Sequence, residues 1–305
     1  MDKIEIGRSG VFGSKIALGC MRISGMSNKA LEELILAAVK NGINFFDHAD
    51  IYGGGKSESL FGEVLANNPE LREKILIQSK CGIRKGFYDL SYDHIIYSVN
   101  ESLKRLKTDY LDFLLLHRPD TLMDPQEINA AFLQLKAENK VRHFGVSNMN
   151  PMQMELLKRH LEVPIEVNQI QFSIVHSGMI DVGFHVNMKH PLAVSYDESV
   201  LEYCRVNDIT IQPWSALQAS WEEGTFINNP NYQGLNDKLN ELANKYQATP
   251  SAIALAWILR HPAKMQPIIG TTSIKHLQEL SKAELINITR QEWYDLYKAV
   301  GKTMP

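Results

Sequence analysis

Cysteine is scarce in this sequence: Cys20, Cys81 and Cys204 are the only three in 305 residues, and no CxxC pair occurs. An odd number at wide spacing excludes a disulfide framework and a thiolate zinc site, so they read as reduced, packed thiols. Long apolar runs are missing too. The longest, Ala252 to Leu259, falls well short of the roughly 20 residues that span a bilayer. The N-terminal MDKIEIGRSG lacks the apolar stretch of a signal peptide. A cytoplasmic protein with no membrane partner is expected. No charge of one sign dominates: the formal net charge is −3, without blocks of like charge. There is thus no basic field to gather the phosphates of a nucleic acid. No GxGxxG opens a strand-to-helix turn, and Gly53-Gly54-Gly55 lacks that spacing, which argues against a Rossmann phosphate loop. Nor does a linker rich in Pro, Gly or Ser divide the chain.

What the sequence does contain is an alternation of short apolar runs and amphipathic helical patterns. Strands are predicted near 16–20, 43–47, 74–80, 111–117, 141–147, 165–170, 209–213 and 266–269. Continuous apolar cores such as Phe113-Leu114-Leu115-Leu116 suit strands covered on both faces, as parallel sheets require. Helix starts are marked by a capping residue followed by proline at Asp124-Pro125, Asn150-Pro151 and Thr249-Pro250. Thr289 and Glu292 form a capping-box pattern before a final helix. Leu31, Leu34, Ile35 and Ala38 make the apolar face of a helix over 28–41. About eight strand–helix units over residues 1–305 predict one α/β domain, a (β/α)8 TIM barrel, rather than a doubly wound sheet with a second domain. Three pieces fall outside the repeat: an N-terminal hairpin around 3–14, a long connection at 173–197, and a segment at 218–246 with its own helix near 235–246. Connections of that length are commonly binding loops, lids or interfaces.

In such barrels the reacting groups stand at the C-terminal ends of strands. Asp47, with His48, Asp50 and Tyr52 beyond it, follows the second strand; Lys80 ends the third and His117 the fourth. Each taken alone reads as an ordinary turn, loop or core residue; their placement on neighbouring strand ends favours a site. A phenol has a pKa of roughly 10 and donates its proton near neutrality only when a positive neighbour favours the phenolate. Lys80 supplies that charge, Asp47 keeps the lysine oriented and ionised, and a neutral His117 adds a donor toward a substrate oxygen. The four make a proton-donating site suited to a carbonyl becoming an alkoxide.

The stretch FFDHADIYGGGKSE, Lys80 after ILIQS, LLLHRP, and GVSN followed by NQ resemble the aldo-keto reductase family, in order along nearly the whole chain. The resemblance implies a metal-free, flavin-free oxidoreductase that reduces small-molecule aldehydes or ketones with NADPH. Tyr52 would be the general acid, Lys80 would lower its pKa, Asp47 would pair with Lys80, and His117 would orient the carbonyl. Ser147, Asn148 and Gln169 would hold the nicotinamide carboxamide, and Trp214 would stack on the ring. Ser215 and Leu217 would contact the pyrophosphate, while Met21 and Arg22 would lie where the first strand meets cofactor and substrate. Gly270, Thr271 and Thr272 precede a helix over 273–283 whose N-terminus suits a phosphate, although a plain Ser or Thr cap reads the same way.

The sequence departs from the family where the 2′-phosphate of NADP would lie. Gly270 and His276 stand where relatives that prefer NADP often carry a basic residue and an arginine. Lys275 and His276 remain nearby, and Glu279 keeps a position associated with adenine, so NADH or dual use stays open. Met21, Met149, Trp214 and Trp221 suggest an apolar substrate pocket, or core packing. Two other functions fit the sequence: a dinucleotide-binding sensor or regulatory protein with little turnover, and a metal-dependent hydrolase using His48, Asp50 and His117. For the latter, Ser147, Asn148 and Gln169 are poor zinc ligands. His176, His185 and His190 in the long connection match no ligand spacing.

Overall fold

The computed structural model describes residues 1–196 and 198–303. Eight strands form one sheet: β1 (Ala17–Gly19), β2 (Phe45–Asp47), β3 (Leu76–Cys81), β4 (Leu111–Leu116), β5 (Val141–Ser147), β6 (Ile165–Gln171), β7 (Thr210–Trp214) and β8 (Ile268–Ile269). Neighbours in the chain pair in parallel from β1 to β7, and β8 pairs with β1. Between β7 and β8 the circle is nearly closed, by Gln266 N–H donating to Ile211 O at 3.0 Å. The expected (β/α)8 barrel is present, with strand ends within two residues of the predicted ones.

The helices between and after the strands are α1 (Asn28–Lys40), α2 (Lys56–Asn67), α3 (Tyr92–Leu106), α4 (Pro125–Ala137), α5 (Pro151–Lys158), α6 (Gly178–Phe184), α7 (Val200–Val206), α8 (Gln233–Tyr246), α9 (Pro250–Leu259), α10 (Ile274–Ser281) and α11 (Arg290–Lys298). None is long and apolar enough to cross a membrane among the described residues. Asp124, Asn150 and Thr249 cap their helices through their side chains, and Thr289 with Glu292 forms the complete capping box of α11. Leu31, Leu34, Ile35 and Ala38 are the buried face of α1.

Every residue of β4 is buried, but alternate ones serve different cores. Phe113 and Leu115 point into the barrel with Ala17, Phe45, Val167 and Ile268, whereas Leu114 and Leu116 join the larger core under the helices. This period of two decides which strand-end residues reach the barrel mouth. The hairpin Lys3–Glu5/Phe12–Ser14 carries the fully buried Ile6 into the barrel core, so the N-terminus plugs the floor opposite the mouth. The long connection is not a detached lid. It folds into α6 and a 3-10 turn at Pro191–Ala193, and Phe184 packs on Tyr294 and Tyr297 of α11. Lys302 bonds Asp181 at 3.0 Å and Val175 O at 3.3 Å. Its last residue, Asp197, lies outside the described residues.

Candidate active site

Lys80 is the centre of the mouth. Its side chain is fully buried, and its Nζ donates to the Asp47 carboxylate at 2.8 Å, to His48 O at 2.7 Å and to the Tyr52 hydroxyl at 3.1 Å. β2 fixes Asp47 rigidly on the strand, while the turn of residues 48–51 carries Tyr52 back over the lysine. Tyr52 and His117 stand edge to face with centroids 5.9 Å apart. The four residues singled out from the sequence therefore meet. His117 Nδ1 is buried without a partner.

The electrostatics of the four are those of a neutral acid beside a cation. Burial acts to lower the Lys80 pKa, but Asp47 and Tyr52 outweigh it, and the net shift is upward, so the ammonium persists. Burial first, then Lys80, pushes His117 down to about 2, so its imidazole is neutral across the physiological range. For Tyr52 the net direction differs from the expectation. Lys80 pulls the phenol downward as anticipated, but burial is the larger cause and Asp47 adds to it, so the pKa is raised overall. The tyrosine keeps its proton, and the lysine limits how costly its release is.

Beneath Asp47 lies a set of buried amides, of which only Gln169 was singled out from the sequence, while Gln78, Gln212 and Gln266 were missed. Gln78 Nε2 donates to Asp47 Oδ1 at 2.6 Å and to Gln212 Oε1 at 2.8 Å. Gln169 Nε2 bonds the same two acceptors at 3.0 and 3.2 Å, and Gln212 Nε2 continues to Gln266 Oε1 at 2.8 Å. Their signal was present: Gln78 lies two residues before Lys80, and Gln212 two before Trp214, on the inward face of otherwise apolar strands. Gln169 is thus committed to Asp47 through its nitrogen, which leaves only its oxygen as a candidate carboxamide contact.

The other flank of the mouth carries the remaining predicted residues. Ser147 Oγ donates to Gln169 O at 2.9 Å, and Asn148 Nδ2 to Ser147 Oγ at 2.8 Å. Trp214 Nε1 donates to Asn148 Oδ1 at 3.1 Å, which ties the ends of β5 and β7 together. Asn148 and Ser215 both hold positive φ, 56° and 55°, a conformation that costs a non-glycine residue on the order of 1 kcal/mol. Ser215 Oγ bonds Gln218 at 2.8 Å; Leu217 is half-buried behind it, and Met21 and Arg22 are exposed on the turn after β1. Gly270, Thr271 and Thr272 lead into α10, whose cap is Ser273, accepting from His276 N–H at 3.3 Å. An added Cβ at Gly270 would meet nothing within 4 Å. Lys275 is exposed, and His276 and Glu279 are half-exposed on the first turns of the same helix. Paired amide and hydroxyl groups, an indole and a helix N-terminus, in one arc from β5 to β8, fit the carboxamide, ring and phosphates of a nicotinamide dinucleotide.

Strand alternation and the turns beyond the strands keep several of the singled-out residues away from the mouth. His48 points outward, edge-on to Phe61 at 4.6 Å, with both ring nitrogens unpartnered. Asp50 turns toward Glu58 and Arg105; burial and the Glu58 charge raise it to about 7. Asn168 donates to Met149 O at 2.8 Å under α5, and Met149 belongs to the outer core, so it is no pocket residue. Trp221 is 64% exposed. His48, Asp50 and His117 therefore do not converge. Among the described residues no group of three or more His, Cys, Asp or Glu could hold a metal ion.

The molecule is thus a nearly closed parallel barrel with a buried lysine–carboxylate–phenol cluster at its mouth. The chain belongs to the aldo/keto reductase family, whose model matches residues 15–300. It is 37% identical to Oxidoreductase YdhF of Escherichia coli, with 100% of both chains covered. It is 32% identical to a 6-dehydroglucose reductase of Agrobacterium fabrum over 99% of this chain and 97% of that one. Among solved structures, the thermostable aldo-keto reductase Tm1743, crystallised with the inhibitor epalrestat, superposes with a TM-score of 0.79 at 26% identity, covering 98% of this chain and 100% of that chain.

Proposed function

We propose that this oxidoreductase is a cytoplasmic, metal-independent enzyme that reduces an aldehyde or ketone to an alcohol with NAD(P)H. The observation that carries the reading is the Lys80 ammonium in simultaneous contact with Asp47 and the Tyr52 hydroxyl. Ser147, Asn148, Gln169 Oε1 and Trp214 would hold the nicotinamide end. Ser215, Leu217 and the Gly270–Thr272 turn would hold the phosphates. When bound, the cofactor supplies a hydride to the carbonyl carbon. The chain's own residues manage the charge left on oxygen. Tyr52 gives its proton to the developing alkoxide, and Lys80 steadies the phenolate that remains. Asp47, itself held by Gln78 and Gln169, keeps Lys80 charged and aimed. Neutral His117 donates a hydrogen bond that orients the carbonyl before transfer. Lys275 and His276, on the helix turn after Gly270, are the basic groups placed to meet a 2′-phosphate, so NADPH is the proposed cofactor, with NADH or dual use open.

Titrating the purified protein with NADPH and with NADH by tryptophan fluorescence, then adding an aromatic aldehyde and following nicotinamide absorbance, tests this. Binding with cofactor oxidation is expected. Binding without turnover would identify a dinucleotide sensor, and binding of neither would sink the proposal.

A further inference from the structure

A cavity of about 450 Å³ opens on the flank of the barrel, away from the mouth, between α6, α7, the end of α9 and the start of α11; none of its lining residues lies on a strand. Three arginines face it, Arg205, Arg260 and Arg290, against one carboxylate, Glu202. The arginines that form ion pairs among the described residues are Arg8, Arg72, Arg84, Arg105 and Arg142; these three are not among them. A concentration of guanidinium groups without carboxylate partners is notable in a chain of net charge −3. All three are exposed at the cavity's edge, where guanidinium groups offer an anion forked, charge-assisted bonds.

The rest of the wall is largely aliphatic and aromatic, with His261 as its other polar group. Trp293 stacks flat on Trp257 at 4.7 Å and donates its Nε1–H to Trp257 O at 3.0 Å. Tyr294 stands edge-on to Trp293 at 5.0 Å, and Phe184 lies 6.0 Å from Tyr294. Arg260 is anchored by Nε donating to Ile288 O at 3.2 Å, which leaves its Nη groups for other partners. His261 Nδ1 accepts from Ala263 N–H at 3.2 Å, so a neutral ring carries its proton on Nε2. Burial, then the Arg205 charge, lowers its pKa to about 4 and keeps it in that neutral, donating form near pH 7.

We propose that this flank cavity is a binding site for a small organic anion that joins a planar apolar body to a multiply charged phosphate or carboxylate group. The aromatic wall takes the body, and Arg205, Arg260 and Arg290 take the charge. The site is separate from the mouth and does not depend on the reductase reading.

Isothermal titration of the full chain with phenyl phosphate and with phthalate distinguishes the two anion sources; inorganic phosphate and phenol serve as the separate halves. One equivalent of phenyl phosphate or phthalate is expected to bind at least about tenfold more tightly than inorganic phosphate or phenol. Arg205→Ala and Arg290→Ala should each weaken it by about tenfold, as loss of a charge-assisted bond does, and Arg260→Lys should weaken it through loss of the fork. Dinucleotide binding by these variants should be unchanged. No binding of either aryl anion at millimolar concentration would overturn the proposal. So would affinity that survives the Arg205→Ala/Arg290→Ala double substitution, or inorganic phosphate binding as tightly as phenyl phosphate.

Discussion

Tyr52 and Lys80 share one hydrogen bond of 3.1 Å in a buried setting, and opposite influences meet there. Burial drives the phenol pKa upward, and the ammonium pulls it down. Tyr52→Phe removes the proton and almost no surface, so the reduction rate should fall by about 10²- to 10⁴-fold, with dinucleotide affinity by fluorescence titration nearly unchanged. A mutant that turned over at the wild-type rate would falsify the acid assignment. Lys80→Met leaves burial unopposed, so the Tyr52 pKa should rise further. The alkaline limb of the reduction rate, where the acid loses its proton, should then move to higher pH as the rate at neutrality drops. An unchanged pH–rate profile would show that Lys80 has no hold on the phenol. The resemblance made all four catalytic candidates legible. Gln78 and Gln212 carried only the signal of a polar residue on the inward face of an apolar strand, which does not announce which carboxylate it will meet across the barrel.

Among the elements, α2 and α3 approach each other at Gly62. A Cβ there would lie 2.1 Å from Arg105 O and 2.8 Å from the Leu106 carbonyl carbon, both backbone atoms that cannot move without shifting α3. In an exposed helix Gly→Ala would be stabilising; here steric overlap reverses the sign. Gly62→Ala should lower stability in urea by about 1–3 kcal/mol, and a gain in stability would contradict the close approach. At the other end of the chain, Thr289→Ala breaks the capping box of α11 and should cost about 1 kcal/mol, measured as a shift of the denaturation midpoint at constant slope. The two helix features differ in what they needed to be seen. The capping box was readable because both partners lie within one turn. The Gly62 contact joins residues from two helices, and nothing local marks it.

For the whole molecule, buried titratable groups inside and outside the mouth set the response to acid. His48, His117 and His261 are held down to about 3, 2 and 4, chiefly by burial, whereas an unfolded chain takes up those protons below about pH 6.5. The unfolded state gains protons that the fold refuses, so stability falls as pH drops from 6.5. Asp50 acts the other way. Raised to about 7, it keeps a proton that the unfolded chain releases above about pH 4, so its contribution is present at low pH and is lost as pH rises through 7. His94, His143 and His176 are lowered in the same sense and Glu166 is raised in the other, so the imidazoles outnumber the carboxyls and leave a net loss toward acid, on the order of 1–2 kcal/mol per pH unit between about 5 and 6.5. The melting temperature should rise across that range. His48→Leu, which replaces a ring with no hydrogen-bond partner beside Phe61, should flatten the slope by one proton; an equal slope would place the acid sensitivity elsewhere.

The alternating strand–helix pattern, the capped helix starts and the hairpin at residues 3–14 were fixed by local chemistry, since periodicity and capping act within a few residues of each other. The ordered motifs along the chain were enough to reach the family and the four residues of the mouth. The facing of His48, Asp50 and Asn168, the amides under Asp47 and the net direction of the Tyr52 pKa emerged only when the sheet closed. Each depends on which side of a strand a residue takes, on how deeply the barrel and its helices bury it, and on partners from strands far away in sequence. The flank cavity is of the same kind. Arg205, Arg260 and Arg290 are scattered along the last third of the chain, and they form a common electrostatic feature because the fold brings α7, the end of α9 and the start of α11 to one cavity.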